Sequence, residues 1–376
     1  MADNGWRVIG RGPAAWFAQP SLTAGAELVR RIAASGPLPE VDVRPSGIRV
    51  RATHEDDVER ISTLAVAPSD PAALQELRIV FDAVNPAAVR EFWRAGFGYR
   101  SAGGDRLEDP SHRDPELVVL ETQERRPLRN RFHIDVVRPE RIVEAVRAGR
   151  QPTGAWGVML ADSEGNELDL VPGDVFEASD WQTLFAAMTF YPTTSSEQAV
   201  QLLTTVAELA DTAGIALMLD LRPHGVTIDH GKDAWEEGGT AFVELAARVQ
   251  SAAHELGLTA DPEPLRFVQL GVDAVDVPAV QAFWTRALGY VDAGDSHDPR
   301  RLNPGFIFQQ LDANETERRA QRNRIRLELE IAHDQLRTRA EQAIQAGGRI
   351  ARESPDRCSI TDPEGNELDL VARKIP

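Results

Sequence analysis

The apolar and polar positions of the chain follow the helical period in some stretches and a two-residue period in others. In the first stretch, apolar residues recur on one helix face and end at a glycine: Leu22, Ala26, Val29, Ile32 and Gly36. Residues 41–54 alternate around a Pro-Ser-Gly turn, which predicts a hairpin, and a second helix is predicted from about Asp57 to Ala65. A stretch rich in Ala, Pro and Ser at 65–74 predicts a linker.

After the linker the pattern changes to strands separated by helices. Residues 77–84 form an apolar run typical of a buried strand, 86–97 a helix, and two or three strands are predicted within 98–122. A strand at 132–137 opens a second round, which a helix and a final hairpin through Glu164-Gly165-Asn166 complete. The predicted order is βαβββ twice, and the fold class is α+β.

Much of the chain is repeated. The ten residues 162–171, DSEGNELDLV, recur at 362–371 with one difference. Three more segments recur in the same order: AVREFWRAGFGYR (88–100) as AVQAFWTRALGYV (279–291), NRFHIDV (130–136) as NRIRLEL (323–329), and VDVRPSGIRV (41–50) as LDLRPHGVTI (219–228). We interpret the chain as a tandem duplication of a unit of about 190 residues, each unit made of two small domains.

Composition and charge exclude several classes of protein. The net charge of -18 is spread over both halves, which argues against a nucleic-acid partner and permits a cationic or neutral small molecule. The single cysteine, Cys358, excludes an intrachain disulfide and a cysteine zinc site. No apolar run is long enough to cross a membrane and no secretion signal opens the chain, so we expect no membrane partner and a cytoplasmic location.

The Phe-Trp helix that ends at Gly-Tyr, the His-Ile-Asp-Val strand and the Glu-Gly-Asn-Glu-Leu-Asp-Leu hairpin resemble the glyoxalase-like branch of the vicinal oxygen chelate (VOC) superfamily. The resemblance covers domains at 75–174 and 264–373. It implies paired βαβββ modules that form a cupped sheet around a small-molecule site. The two VOC domains would pair within the chain or in a homodimer.

The preceding domains, 1–70 and 178–258, resemble pterin-4a-carbinolamine dehydratase in their α-β-β-α order. That family uses a His-His-Pro sequence and a further histidine, because loss of water from a carbinolamine needs a proton donor and an acceptor. Here Pro37-Leu38-Pro39 and Ile215-Ala216-Leu217 replace the His-His-Pro sequence, and His54 alone remains. We expect degenerate domains without dehydratase activity, with His54 as a candidate catalytic residue.

In metal-using VOC members, three cup positions hold the ion. The resemblance assigns them to Arg78, His133 and Asp169 in the first half, and to Gln269, Arg326 and Asp369 in the second. Arginine has no lone pair to offer a metal, so both cups are predicted to be metal-free and no cofactor is expected.

Two functions remain open. In the first, the chain is a glyoxalase-like lyase or isomerase in which His133 and Asp169 move protons. In the second, it binds and sequesters a cationic compound without turnover, as bleomycin-resistance relatives do. The candidate substrate-binding residues for both are Arg78, Trp93, Gln269, Trp284, Arg326 and Asp369. A purely structural alternative is that His133 is hydrogen-bonded beside Asp169 and that Arg326 pairs with Asp369. The substrate cannot be named from the sequence.

Overall fold

The computed structural model describes residues 5–65 and 67–373, which divide into two compact units. The first unit combines residues 1–74 with 172–265, and the second combines 75–171 with 266–374. Each unit therefore takes one segment from each half of the chain. Residues 1–4 and 66 of the predicted domain 1–70 lie outside the described residues.

The elements before the linker are β1 Arg7–Ile9, β2 Gly12–Ala18, α1 Leu22–Ser35, β3 Glu40–Arg44, β4 Gly47–Arg51 and α2 Glu55–Leu64. Those of the next segment are β5 Gln75–Ala83, α3 Pro86–Phe97, β6 Arg100–Ser101, β7 Arg106–Glu108, β8 Glu116–Glu121, β9 Phe132–Pro139, α4 Glu140–Arg147, β10 Met159–Ala161 and β11 Glu167–Val175. The third segment contains β12 Gln182–Thr183, β13 Ala186–Pro192, α5 Ser196–Ala213, β14 Met218–Arg222, β15 Gly225–Lys232 and α6 Ala234–Glu255. The last segment contains β16 Phe267–Ala274, α7 Val277–Leu288, β17 Val291–Ala293, β18 Asp295–His297, β19 Gly305–Gln310, α8 Thr316–Ala320, β20 Ile325–Ala332, α9 Leu336–Gln345, β21 Arg349–Ser354, β22 Arg357–Thr361 and β23 Glu367–Arg373.

The predicted helices and hairpins are confirmed, and two predictions about strands are wrong. Strands β1 and β2 precede the first helix, where RVIGRGPAAWFA shows no regular alternation to predict them. The second module of the first half also lacks a strand, because residues 148–158, all described, form only a single bridge between Thr153 and Met159. Three glycines of this stretch have positive φ angles, which a regular strand excludes: Gly149, Gly154 and Gly157.

In the first unit, a sheet of order β1–β2–β4–β3–β14–β15–β13 carries helices α1, α5 and α6 over an apolar core. Strands β3 and β14 pair antiparallel, so the two repeated Asp-x-Arg segments lie side by side. Arg44 contacts Asp220 at 2.7 Å and Arg222 contacts Asp42 at 2.6 Å, and all four side chains are buried. This reciprocal pairing accounts for the repeat of Asp and Arg at these positions, since each charge compensates one from the other half.

The second unit contains two sheets, and each joins modules from different halves. The histidine sheet has the order β10–β11–β9–β16–β19–β18–β17, with β9 of the first half antiparallel to β16 of the second. The arginine sheet has the order β21–β22–β23–β20–β5–β8–β7–β6, with β5 antiparallel to β20. The apolar faces of both sheets and helices α3, α7 and α9 share one core. The assignment of one complete cup to each half is therefore wrong.

The repeated Asn-Arg and Gly-Asn-Glu-Leu-Asp-Leu segments hold these modules together. Asn166 in the first hairpin accepts hydrogen bonds from Asn130 Nδ2 at 2.6 Å and from Arg324 Nε at 2.9 Å. The second hairpin repeats this arrangement, with Asn323 and Arg131 donating to Asn366 at 2.7 and 2.8 Å. Because each arginine comes from the opposite half, both halves need the same residues at these points.

Among the described residues, the helices include none with the length and apolar character that a membrane crossing requires.

Candidate functional site

Strand alternation places a histidine and an aspartate on one face of β9. Phe132, Ile134 and Val136 point into the core, so His133 and Asp135 lie on the opposite face of the histidine sheet. Asp169 on β11 and Gln269 on β16 alternate in the same way with buried aliphatic residues. The sheet therefore collects four polar side chains on the face turned away from the core.

The imidazole of His133 lies across a glycine of the neighbouring strand. Gly271 is the register partner of His133, and a methyl group at Gly271 would overlap the imidazole ring. His133 is only 4% exposed, and its Nδ1 atom is buried with no hydrogen-bond partner within residues 5–65 and 67–373. A buried imidazole nitrogen without a partner is costly, which makes it a candidate for contact with a ligand or ion.

Two carboxylates face this imidazole, and with His133 they form the acid–imidazole cluster: His133, Asp135 and Asp169. His133 Nε2 lies 3.6 Å from Asp135 Oδ1, and Gln269 Nε2 donates to Asp135 Oδ2 at 2.8 Å. Burial and the neighbouring charge of Asp135 raise the pKa of Asp169, and the charge of His133 opposes them only in part. Asp169 therefore holds a proton at a higher pH than an ordinary aspartate, as a general acid requires.

A cavity of about 410 Å³ opens beside the cluster. His133 and Asp169 line it together with Arg129, Thr153, Gly154, Ala155, Trp156, Val158, Met159, Glu167 and Gln309. Five of these residues come from 153–158, the stretch that replaces a strand. The volume lies within the range of small-molecule sites, and apolar walls with a few convergent polar groups are typical of them.

The cluster also fits a divalent cation. His133, Asp135 and Asp169 each offer a ligand atom, and these atoms lie within 4.8 Å of one another. One imidazole with two carboxylates is a donor set for a divalent transition metal, and a cation would compensate both acids. The argument for a metal-free cup was the arginine at the first ligand position. In this sheet Gln269 stands there, so the argument applies only to the arginine sheet.

The arginine sheet has the corresponding face filled by ion pairs. Arg78 contacts Glu116 at 3.0 Å, Glu328 at 3.1 Å and Glu330 at 2.9 Å. These charges are largely buried, and Glu330 is completely so. The side chain that was expected beside His133 thus compensates three glutamates in the other sheet.

Asp369 occupies the same hairpin position in this sheet as Asp169 does in the histidine sheet. It accepts a hydrogen bond from Arg357 at 2.7 Å and another from Ser359, and Arg326 lies 3.5 Å away. Burial alone would raise the pKa of Asp369, but these partners lower it below the ordinary value. The expected pairing of Arg326 with Asp369 is confirmed. The same hairpin position thus carries a charge-compensated carboxylate of lowered pKa in one sheet and a carboxyl group of raised pKa in the other.

The structure places most of the predicted site residues in two different sheets. His133, Asp169 and Gln269 share the histidine sheet, whereas Arg78, Arg326 and Asp369 share the arginine sheet. Grouping them by half of the chain was wrong because the halves exchange their central strands.

The predicted tryptophans and His54 lie elsewhere. Trp93 and Trp284 are completely buried and donate to Asp162 and Asp362 at 2.9 and 3.0 Å, so they hold the hairpin turns rather than a ligand. His54 is exposed in the first unit, at the N-terminus of α2.

Sequence reasoning missed Asp135, Gly271 and Trp156. Asp135 follows His133 by two residues on a strand, so alternation alone could have placed both on one face. Gly271 carried no such signal, since its role depends on which strand lies beside β9. Trp156 stands between glycines in a stretch that was expected to lead into a regular strand.

Comparison with known proteins gives the family. The model of the glyoxalase-like domain matches residues 78–171 and 269–371, which are more than half of the chain. Among solved structures, glyoxalase I from Zea mays is similar at 10% identity and a TM-score of 0.38, over 79% of this chain and 93% of that one. A glyoxalase/bleomycin resistance protein from Albidiferax ferrireducens is similar at 17% identity and a TM-score of 0.21, over 28% of this chain and 95% of that one. The cppA protein of Streptococcus pneumoniae is similar at 9% identity and a TM-score of 0.36, over 79% of this chain and 98% of that one. No curated protein matches the chain. Both matches cover strands of the histidine sheet and of the arginine sheet. The chain belongs to the glyoxalase-like domain family.

Proposed function

We propose that the chain is a small-molecule enzyme of the lyase or isomerase type that works at the histidine sheet. The observation that carries this proposal is the acid–imidazole cluster on a cavity. Its buried imidazole has a nitrogen to which the described residues offer no hydrogen-bond partner, and it lies beside an aspartate of raised pKa. Perturbed titratable groups that converge on a cavity are typical of acid–base catalysis.

The proposed chemistry is proton transfer on a substrate with a carbonyl group. His133 accepts the proton from the carbon next to the carbonyl, and the protonated Asp169 donates to the carbonyl oxygen as electrons move towards it. Asp169, now a carboxylate, then accepts the proton of the hydroxyl group on the carbon that was deprotonated, and His133 gives its proton to the former carbonyl carbon, which completes the isomerisation of a hydroxycarbonyl compound. The charges of Asp135 and Glu167 raise the pKa of Asp169. Gln269 fixes the orientation of Asp135 through its hydrogen bond.

A divalent cation at the cluster would be an alternative to proton donation by Asp169. It would be held by His133, Asp135 and Asp169 in their deprotonated forms, and it would polarise substrate oxygens as a Lewis acid. The arginine sheet, with its ion pairs already formed, serves as a structural partner.

We also propose that the first unit is a pair of degenerate dehydratase-like domains, within a duplicated chain of four domains. The pairing of β3 with β14 and the reciprocal Arg44–Asp220 and Arg222–Asp42 contacts support a scaffolding role. His54 lies exposed at the start of α2, where its backbone N–H donates to Asp57 Oδ2. We therefore assign it to the end of the helix and not to a catalytic cluster of histidines.

Sequestration is the second candidate, and one observation favours it. Trp156 is 87% exposed on the cavity, and an exposed indole face is suited to a cationic ring. The net charge of -18 would attract such a compound.

Hydrogen exchange on substrates separates the two candidates. Dihydroxyacetone and the hemithioacetal of methylglyoxal with glutathione are incubated with the protein in deuterium oxide, and loss of their carbon-bound protons is followed by proton NMR. We expect exchange by the wild-type protein and a loss of about 100-fold or more in His133→Ala, because the base is removed. The matched control is His54→Ala in the first unit, which should exchange at the wild-type rate. Unchanged exchange in His133→Ala would contradict the enzyme proposal, and binding of a cationic dye without exchange would favour sequestration.

A further inference from the structure

Trp156 is exposed in a way that is unusual for tryptophan. Its side chain is 87% accessible, whereas five other tryptophans are at most 3% accessible: Trp6, Trp16, Trp93, Trp181 and Trp284. A large aromatic side chain in water gives up the free energy of burial, so an exposed one that lines a cavity points to a contact with a ligand.

The backbone around Trp156 holds the residue in place. Thr153 and Met159 exchange two backbone hydrogen bonds, at 2.8 and 3.1 Å, which close the loop. Inside the loop, the N–H of Gly157 donates to the carbonyl of Gly154 at 3.2 Å, so Trp156 sits in a tight turn between two glycines with positive φ. These hydrogen bonds fix the backbone that carries the indole of Trp156.

The arginine sheet shows that this loop is a departure from the common plan. The corresponding stretch there is the strand β21, RIARES, which pairs with β22 through a register shift between Ile350 and Arg352 and carries no aromatic residue. At the corresponding place the histidine sheet has a loop with a tryptophan instead of an edge strand. The same sheet carries the acid–imidazole cluster.

The neighbours of Trp156 define what it can bind. Arg129 and Glu167 contact each other at 2.6 Å and so compensate each other's charge, while Ala155, Val158 and Met159 supply apolar surface. The wall near the indole is thus apolar. The polar groups of the cavity beyond it include Asp169 and His133, whose Nδ1 atom has no hydrogen-bond partner among the described residues.

We propose that Trp156 determines substrate specificity by stacking on a flat aromatic group, whose oxygen-bearing end reaches His133 and Asp169. The inference rests on the proposed function for the reactive end and adds the class of substrate, an aromatic compound with a polar, oxygen-bearing end. Stacking on an indole is worth about tenfold in affinity.

Two hydroxamates test this inference, because they share a two-oxygen end and differ in one ring. Benzohydroxamate and acetohydroxamate are titrated calorimetrically into the wild-type protein, Trp156→Ala and Trp156→Phe. We expect benzohydroxamate to bind the wild-type protein more tightly, about tenfold weaker binding of it to Trp156→Ala, and near-normal binding to Trp156→Phe, with acetohydroxamate unaffected by either change. Ile350→Ala, which removes an exposed apolar side chain from β21, is the matched control.

Two results would overturn the inference: equal affinity of Trp156→Ala and the wild-type protein for benzohydroxamate, or no preference of the wild-type protein for benzohydroxamate over acetohydroxamate. The proposed function is tested separately by His133→Ala, which should weaken both hydroxamates. If His133→Ala binds both normally while Trp156→Ala loses the preference, the proposed function fails and the stacking role stands.

Discussion

At the scale of single residues, the environment of a carboxylate decides its role more than its place in a motif. Asp169 and Asp369 stand at the same point of nearly identical hairpins, yet their pKa values move in opposite directions. Burial and Asp135 raise the pKa of Asp169, whereas Arg357 and Ser359 overcome burial at Asp369. The hairpin sequence therefore predicts where a carboxylate stands but not its protonation.

The raised pKa of Asp169 predicts that its ionised carboxylate lowers the free energy of unfolding. A carboxyl group whose pKa is higher in the folded state costs stability once the pH rises above its unfolded value near 3.8. Asp169→Asn should therefore raise the free energy of unfolding at pH 7, by less than about 1 kcal/mol because the site is partly solvated. The gain should disappear below the unfolded pKa, where both side chains are neutral. Urea unfolding at several pH values measures this, and a gain that persists at low pH would contradict the assignment.

At the scale of elements, most helices and strands could be predicted from the sequence, but the pairing of the strands could not. Helix α1 with its Gly36 end and both closing hairpins were predicted from period and turn residues. The pairing of β9 with β16 depends on contacts far apart in the chain, which no local period encodes. The repeated Asn-Arg and Gly-Asn segments did carry the information, since residues that bond across the halves must be kept in both.

The arginine sheet predicts a large loss of stability from one substitution. Arg78→Met leaves Glu116, Glu328 and Glu330 without their shared cation, so the free energy of unfolding should fall by about 3–5 kcal/mol. Arg106→Met is the matched control, because Arg106 also contacts Glu116 but is half exposed, and it should cost less than about 1 kcal/mol. Equal effects of the two substitutions in chemical denaturation would show that the buried ion pairs do not stabilise the sheet.

At the scale of the whole molecule, the two related sheets of the second unit differ on their polar faces. Each half of the chain contributes strands to both sheets, and both faces carry an aspartate of a closing hairpin, but the groups around the two aspartates differ. The family could be named from the sequence, because its motifs are local and the family model matches both copies. The site could be predicted only in part: His133, Asp169 and Gln269 were named, but they were divided between two cups until the strand order joined them.

The central claim is that the histidine sheet binds the small molecule while the arginine sheet stabilises the fold. The matched variants Asp169→Asn and Asp369→Asn test it most directly, through calorimetric titration with acetohydroxamate and thermal unfolding of the same samples. We expect Asp169→Asn to bind at least about tenfold more weakly without loss of stability, because one charged or proton-donating contact is lost. Asp369→Asn should bind normally and unfold at a lower temperature, because Arg357 and Arg326 lose their ion pairs with the Asp369 carboxylate. Normal binding by Asp169→Asn together with loss of binding in a folded Asp369→Asn would contradict the account.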